Sequence, residues 1–370
     1  MRRRAIETFA LLACAAGGAS VATAAAHAWA APPPMLRHLR SEFAGCRMPA
    51  PTRDRGVVVC AGGRRLLACA FATVAALRRL GCDLPVEIVH AGREELDGDV
   101  VAAFATRFGE GVRFVDAAVT VPWPCHPPEN LRGFSIKPYA LLITSFARAL
   151  LLDADCAPLR DPTYLFECEA FRRHGNVFWP DFWSSAELVR PWVARELRLR
   201  AEPRGFETES GQAVIDKARC ERALKWAWIL NNHQGAFYRL YNGDKDLYRL
   251  AFRLAGQPFY QVPFAPGLLG TLSDEGLLLL DTMVQKCPRT GRALFAHRTM
   301  HKRLGCRLRW THWNLARGER GARSVAAYVP GRRNFITAAA EVASQTRATP
   351  AWVRRAARAI QADEDEFATG

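Results

Sequence analysis

Residues 57–90 carry the pattern that narrows the fold most. Val57 to Cys60 is a continuous apolar run of strand length, the kind buried on both faces of a parallel sheet. Gly62 and Gly63 supply a turn. Leu67, Phe71, Val74 and Leu77 then recur at helical spacing until Gly81, a C′ cap. Pro85 to His90 reads as the next strand. Strand, crossover helix and strand in this order predict a parallel sheet with a right-handed connection. The expectation is an α/β fold.

Further strands are expected at Val112 to Val115, Leu150 to Leu152, Asn176 to Trp179, Ala213 to Ile215 and Ala293 to Ala296. Helices are expected from Pro138 to about Ala147, from Arg219 to Leu230 and from Lys245 to Leu254. No internal repeat is visible. Residues 32–55, rich in Pro, Arg and small side chains, read as a stem before a globular domain over 56–330. Residues 331–370 read as a C-terminal extension, its acidic "ADEDEF" a disordered, solvated end.

The first 31 residues read as a leader: "MRRR", an Ala-rich apolar stretch, then "APPP". Ala28-Trp29-Ala30 offers a cleavage site. An uncleaved signal anchor with its arginines in the cytosol fits equally well. Either reading makes the body luminal or extracytoplasmic. Ten of the 11 cysteines lie beyond the leader, none in a C-x-x-C pair, so disulfides and buried thiols both stay open. The net charge is +15, but only six of the 51 basic residues are lysine and the arginines form no dense block. That distribution argues against a nucleic-acid partner and leaves attraction to a diphosphate or an anionic membrane.

Asp153 and Asp155 follow the apolar run 150–152, where ligands of open α/β sheets bind beyond the carboxyl ends of the strands. Two carboxylates there can hold Mn²⁺ or Mg²⁺, and such an ion can neutralise a departing diphosphate. Haloacid-dehalogenase-type phosphatases also use paired aspartates after a strand, but at the start of the domain and closely followed by Thr, which "DADCAPL" lacks. Lys137, at the start of the Pro138 helix, can meet phosphate or ribose oxygens together with helix N–H groups. "AGGRR", with Gly62, Gly63 and Arg64, can cradle part of a nucleotide, though it lacks dinucleotide-binding spacing. Asp244 suits an N-cap or, like Asp246, a contact to sugar or acceptor. Asp181 and the aromatics of "VFWPDFW" suit an acceptor platform or core packing.

Five segments occur in one order: "GFSIKPYALLITSFARALLLDADCAPLRDPTYLF", "VFWPDFW", "ESGQAVIDK", "YNGDKDLYRLAFRLAG" and "ALFAHRTMHK". From about Gly56 to about Lys302 the chain resembles the mannosyltransferases related to fungal Golgi α-1,3-mannosyltransferases. The resemblance implies a GT-A-like fold with a mostly parallel, Rossmann-like sheet, and a retaining, metal-dependent transferase, usually using Mn²⁺. It further implies a nucleotide-sugar donor, with GDP-mannose favoured, a glycan or glycoprotein acceptor, and a type II Golgi membrane protein. By position it makes Asp153 and Asp155 the metal and diphosphate site, with His297 the third ligand and His301 its rival. It places Glu209, Ser210 and Gln212 beside the sugar, with Glu209 nearest the anomeric carbon. A catalytically inactive sugar-binding protein is the alternative from another class.

Overall fold

The computed structural model describes residues 34–119, 131, 133–200, 202–241, 243–272, 278–298, 310, 312–314, 327–328, 336–337 and 347–369. The leader, the loop at 121–130 and His301 lie outside the described residues. No helix among the described residues is long and apolar enough to cross a membrane.

The chain runs α1 (Pro34–Gly45), β1 (Arg53–Cys60), α2 (Gly63–Arg79), β2 (Val86–His90), α3 (Gly98–Phe108) and β3 (Val112–Asp116). It continues through α4 (Ile136–Ile143), β4 (Phe146–Asp153), β5 (Cys156–Pro158), β6 (Asn176–Val189) and β7 (Glu202–Asp216). Then come α5 (Lys217–Asn232), α6 (Lys245–Ala255), β8 (Gly267–Leu272), β9 (Leu278–Lys286), β10 (Ala293–His297) and α7 (Ala351–Thr369). The main sheet has the order β3-β2-β1-β4-β7-β6. β1 pairs in parallel with β2 and β4, and β2 with β3, whereas β7 is antiparallel to both β4 and β6. The α/β expectation holds, with a parallel half that ends in two antiparallel strands. A second sheet is built around β8 and β9, and β10 joins β9 to β5.

Continuous apolar runs form β1 and β4 because both faces of the sheet are covered. Val57, Val59, Leu150 and Leu152 point to the side of α2 and α3, where Leu67, Phe71, Val74 and Phe104 meet them. Val58, Ala149 and Leu151 point to the side of α4, α5 and α6, against Tyr139, Trp228 and Tyr248. Within that frame α4 stops at Ile143, and Ala147 already belongs to β4. A helix continued to Ala147 would remove the first residues that β4 pairs with β1.

Two boundary expectations are corrected. Residues 34–45 are not an extended stem: α1 buries Met35, Leu36 and Leu39 in the same core as α5. The acidic C-terminal stretch is not a solvated end but part of α7. Val353, Ala357 and Ile360 pack with Trp310 and Leu269, and Phe367 sits 5.4 Å from Phe71 and 6.1 Å from Phe104, ring to ring. Asp363 and Glu364 are buried in ion pairs with Arg79 and Arg298, at 2.6 Å each. A run of acids reads as solvated, yet one face of the helix is apolar and the inward acids have partners. Among the described residues Cys60, Cys69, Cys82, Cys156, Cys168, Cys220 and Cys287 are free thiols, all but Cys168 buried, so the thiol alternative holds for them.

Phe367→Ala tests the packing of α7. Removing a buried phenylalanine typically costs ~3–5 kcal/mol, and urea unfolding of the variant should show a loss in that range. A solvated tail would show no change.

Candidate active site

Asp153 closes β4, and the turn after it is pinned on both sides. Thr73 of α2 donates its hydroxyl to the Ala154 carbonyl at 2.7 Å. The short β5 pairs antiparallel with β10 so that Cys156 lies opposite His297. The next amide, Arg298 N–H, donates to the Asp155 carbonyl at 3.0 Å. This ladder delivers an imidazole from late in the chain to the paired aspartates. His297 Nε2 lies 3.6 Å from Asp153 Oδ2 and 3.4 Å from Asp155 Oδ1. One ligand atom from each of the three residues falls within 4.8 Å of the others.

β7 supplies the facing wall. Phe178 of β6 pairs with Ala213, but Trp179 pairs with Glu209, so residues 210–212 form an excursion opposite β6. Glu209 Oε1 accepts the Gly211 N–H at 2.6 Å and lies 3.4 Å from His297 Nδ1. Gly211 is required by contact: a Cβ there would come within 2.5 Å of the His297 ring.

Lys137, on α4, turns inward at the edge of the cleft. Its side chain is buried, and Nζ donates to Ser210 Oγ at 2.8 Å while pairing with Asp244 Oδ2 at 3.2 Å and Asp153 Oδ1 at 3.3 Å. Asp244 occupies the N-cap position of α6 but makes no side-chain cap bond. Its carboxylate serves Lys137 instead.

Four carboxylates thus crowd one ammonium and one imidazole. Burial works against the charged form of His297, but Asp155 and Glu209 outweigh it and lift the imidazole to about 10. Burial alone would raise Glu209, yet His297 and then Lys137 hold it at about 2. Burial also opposes the Lys137 ammonium, and Asp153, Asp244 and Glu209 overcome that and keep it above the usual lysine range. Asp244 is pushed up by burial, with Lys137 pulling the other way.

A divalent cation fits the same field. Both ring nitrogens of His297 are buried without a hydrogen-bond partner among the described residues, and the donor set is two carboxylates and one imidazole. Asp153, Asp155 and His297 are therefore the residues that could hold such an ion.

Beside them opens a cleft of about 330 Å³, lined by Gly62, Arg65, Glu95, Phe134, Lys137 and the D-x-D segment, among others. Gly62 lies so close to Glu95 that a Cβ would fall 1.9 Å from its carboxylate oxygen. That oxygen already accepts the Ala91 N–H at 2.7 Å. Arg64, expected here, turns away to Asp99 at 3.0 Å, and Arg65 takes its place in the wall. Gly63 starts α2 with φ +71° and is not part of the lining.

Asp181 and Asp246 belong to a neighbouring cluster rather than to the cleft. Lys245 bridges Asp181 and Glu207, the latter at 2.7 Å, and the Thr208 N–H donates to Asp246 at 2.9 Å. Burial, with the Glu209 charge second, pushes Asp181 up to about 6, and burial does the same to Asp246. Gln212 is fully buried and accepts from the Cys156 thiol at 3.4 Å. Arg65, Glu95, Gly211 and Arg298 were missed by sequence reasoning. Only the first carried a signal, since "AGGRR" offers two adjacent arginines and the start of α2 decides which faces in.

A family model described as "Mannosyltransferase putative" matches residues 54–192 and 198–290. The chain belongs to that family. Among its relatives, the Alpha-1,2-mannosyltransferase MNN23 of Candida albicans is 23% identical over 280 residues, which cover 62% of this chain and 46% of the relative. MNN5 of Saccharomyces cerevisiae, also named an Alpha-1,2-mannosyltransferase, is 25% identical over 262 residues, covering 55% and 44%. This mannosyltransferase-family chain thus spans less than half the length of those relatives. A solved mannosyltransferase, Ktr4p of S. cerevisiae, shares 8% identity with a TM-score of 0.37, over 59% of this chain and 75% of that one. Family membership sets the phosphatase reading aside.

Lys137→Ala removes the cation that three buried or half-buried carboxylates share. Breaking one side of a buried pair typically costs ~3–5 kcal/mol, and urea unfolding should show it. Adding Asp244→Asn, which removes the stranded charge, should recover part of that loss. A single variant as stable as the parent would contradict the network.

Proposed function

We propose that this chain transfers mannose, in an α linkage and with retention, from a nucleotide-sugar to a glycan or glycoprotein acceptor. GDP-mannose is the favoured donor, and Mn²⁺ or Mg²⁺ the resident ion. The observation that carries the reading is the convergence of Asp153, Asp155 and His297 within 4.8 Å beside a cleft at the carboxyl end of β4. Family membership supports mannose. The relatives are named for α-1,2 transfer, and α-1,2 is the linkage we adopt in place of α-1,3. The luminal, Golgi-type placement expected from the leader is kept as part of the proposal.

When bound, the cation neutralises charge on the leaving diphosphate. The protein does the rest by position. Gly62 brings backbone close to the nucleotide, and Arg65 faces the cleft as its cation. Lys137 acts through Asp153 and Asp244, which it fixes, and is not itself the diphosphate clamp. Glu209 stays ionised beside His297 and stabilises positive charge that builds on the anomeric carbon. With retention, the acceptor hydroxyl enters on the face the diphosphate leaves and passes its proton to the departing phosphate oxygen. No protein base is needed for that transfer.

Asp155→Asn keeps the shape of the site and removes a charge that holds the ion. Transfer from GDP-mannose to a mannoside acceptor should be lost. The wild type should melt at a higher temperature with Mn²⁺ and GDP than without them, because ligands of the folded state stabilise it, and the variant should lose that rise. Full transfer in EDTA would overturn the metal assignment.

Gly211→Ala is a second test. The methyl must push the His297 ring aside, so calorimetry should show weakened Mn²⁺ binding. The overpacking should also cost ~1–3 kcal/mol of stability. Unaltered Mn²⁺ affinity would mean that His297 is not a ligand.

A further inference from the structure

Where α1 packs against α5, a second group of ligand side chains converges. His38 and Glu42 stand one turn apart on the same face of α1, and His233 follows the last residue of α5. Each imidazole aims Nε2 at a different oxygen of one carboxylate: His233 at Glu42 Oε2, 2.7 Å away, and His38 at Glu42 Oε1, 3.3 Å away. The two rings meet edge to face with centroids 5.7 Å apart. One ligand atom from each of the three residues lies within 4.8 Å of the others. The side chains are 31%, 11% and 18% exposed for His38, Glu42 and His233, so an ion could enter from solvent and still be largely enclosed.

We infer that His38, Glu42 and His233 form a binding site for a divalent transition-metal ion, Zn²⁺ by the chemistry of its donors, that clamps α1 to α5. Two imidazoles and one carboxylate make a three-ligand zinc set with a fourth position left for water. The set differs from that at the D-x-D segment. There, two carboxylates and one imidazole suit a harder ion such as Mn²⁺; here, imidazole predominates and suits Zn²⁺.

The ligands come from two helices whose packing does not depend on the ion. Phe43 of α1 stacks on Trp226 of α5 with centroids 4.7 Å apart and planes 20° from parallel. Leu36 and Leu39 anchor the buried face of α1 in the core. Zn–N and Zn–O bonds of ~2.0–2.2 Å in a tetrahedral site put neighbouring ligand atoms on the order of 3.3–3.5 Å apart. The His38–Glu42 separation of 3.3 Å already has that value, and the shorter His233–Glu42 contact needs only to open slightly. Hydrogen bonding alone requires a proton on each Nε2, whereas a cation uses both lone pairs at once.

The test uses the full chain carrying Asp155→Asn, stripped with a chelator, dialysed and titrated with Zn²⁺ and with Co²⁺ as its coloured substitute. The expected result is one bound equivalent of Zn²⁺ whose X-ray absorption spectrum shows two imidazoles, and a Co²⁺ complex with a tetrahedral visible band. Adding His233→Ala should weaken Zn²⁺ binding by at least ~10–100-fold and abolish the Co²⁺ band. It should also remove the rise in melting temperature that Zn²⁺ gives the parent. His38→Ala, at the more exposed ligand, should do the same and serves if His233→Ala does not fold. Two results would overturn the site: no Zn²⁺ bound by the folded parent, or equal Zn²⁺ affinity and spectrum in both histidine variants. Neither depends on sugar transfer, so the proposal stands or falls apart from the activity.

Discussion

Four carboxylates, one of them half-buried, meet an ammonium and an imidazole in the interior where the apolar strands of the parallel half come to an end. Charge in such a place is expensive unless it is paired or holds a metal, and this one requirement organises the surrounding structure. Lys137 is fastened to Asp153, Asp244 and Ser210 at once. His297 is enclosed by Asp153, Asp155 and Glu209. Negative charge still predominates, which gives a divalent cation and, through it, a diphosphate a reason to bind there.

The cluster is assembled by chain pairings with little local sequence signature. β5 is three residues long and still sets the position of His297, because its antiparallel register with β10 places Cys156 opposite that histidine. The excursion of β7 turns Glu209, Ser210 and Gly211 toward the same point. α7 supports the arrangement from behind. Glu364 holds the buried Arg298 guanidinium, and the Arg298 amide closes on the Asp155 carbonyl. Residues separated by most of the domain therefore share one electrostatic unit. A change in the C-terminal helix can reach the aspartates through two contacts.

The neighbouring cluster of Asp181, Lys245, Glu207 and Asp246 shows how acids in family-like segments divide between tasks. These groups fasten β6, β7 and α6 to one another. Asp181 still feels the charge of Glu209, so the two clusters are coupled by field rather than by contact.

The strands of the parallel half were legible because continuous apolar runs have one stable use in an α/β protein, burial on both faces. The aspartate pair was legible for the same reason: polar residues that interrupt such a run mark its ligand end. Sequence pattern alone did not single out His297, which came from the family resemblance with His301 as its rival. It did not place Arg64 and Arg65 correctly, since one residue at a helix start rotates a side chain by about 100°. It did not foresee the carboxylates around Lys137, because a helix start says nothing of which groups lie across the sheet. It missed Gly211, Glu95 and Arg298, whose roles arise only from contacts between distant segments, and took α7 for a solvated end because the partners of its acids are Arg79 and Arg298. Local periodicity determined what would be buried; only the tertiary pairing decided which buried charges would meet, because Coulomb interactions depend on distance in space and not along the chain.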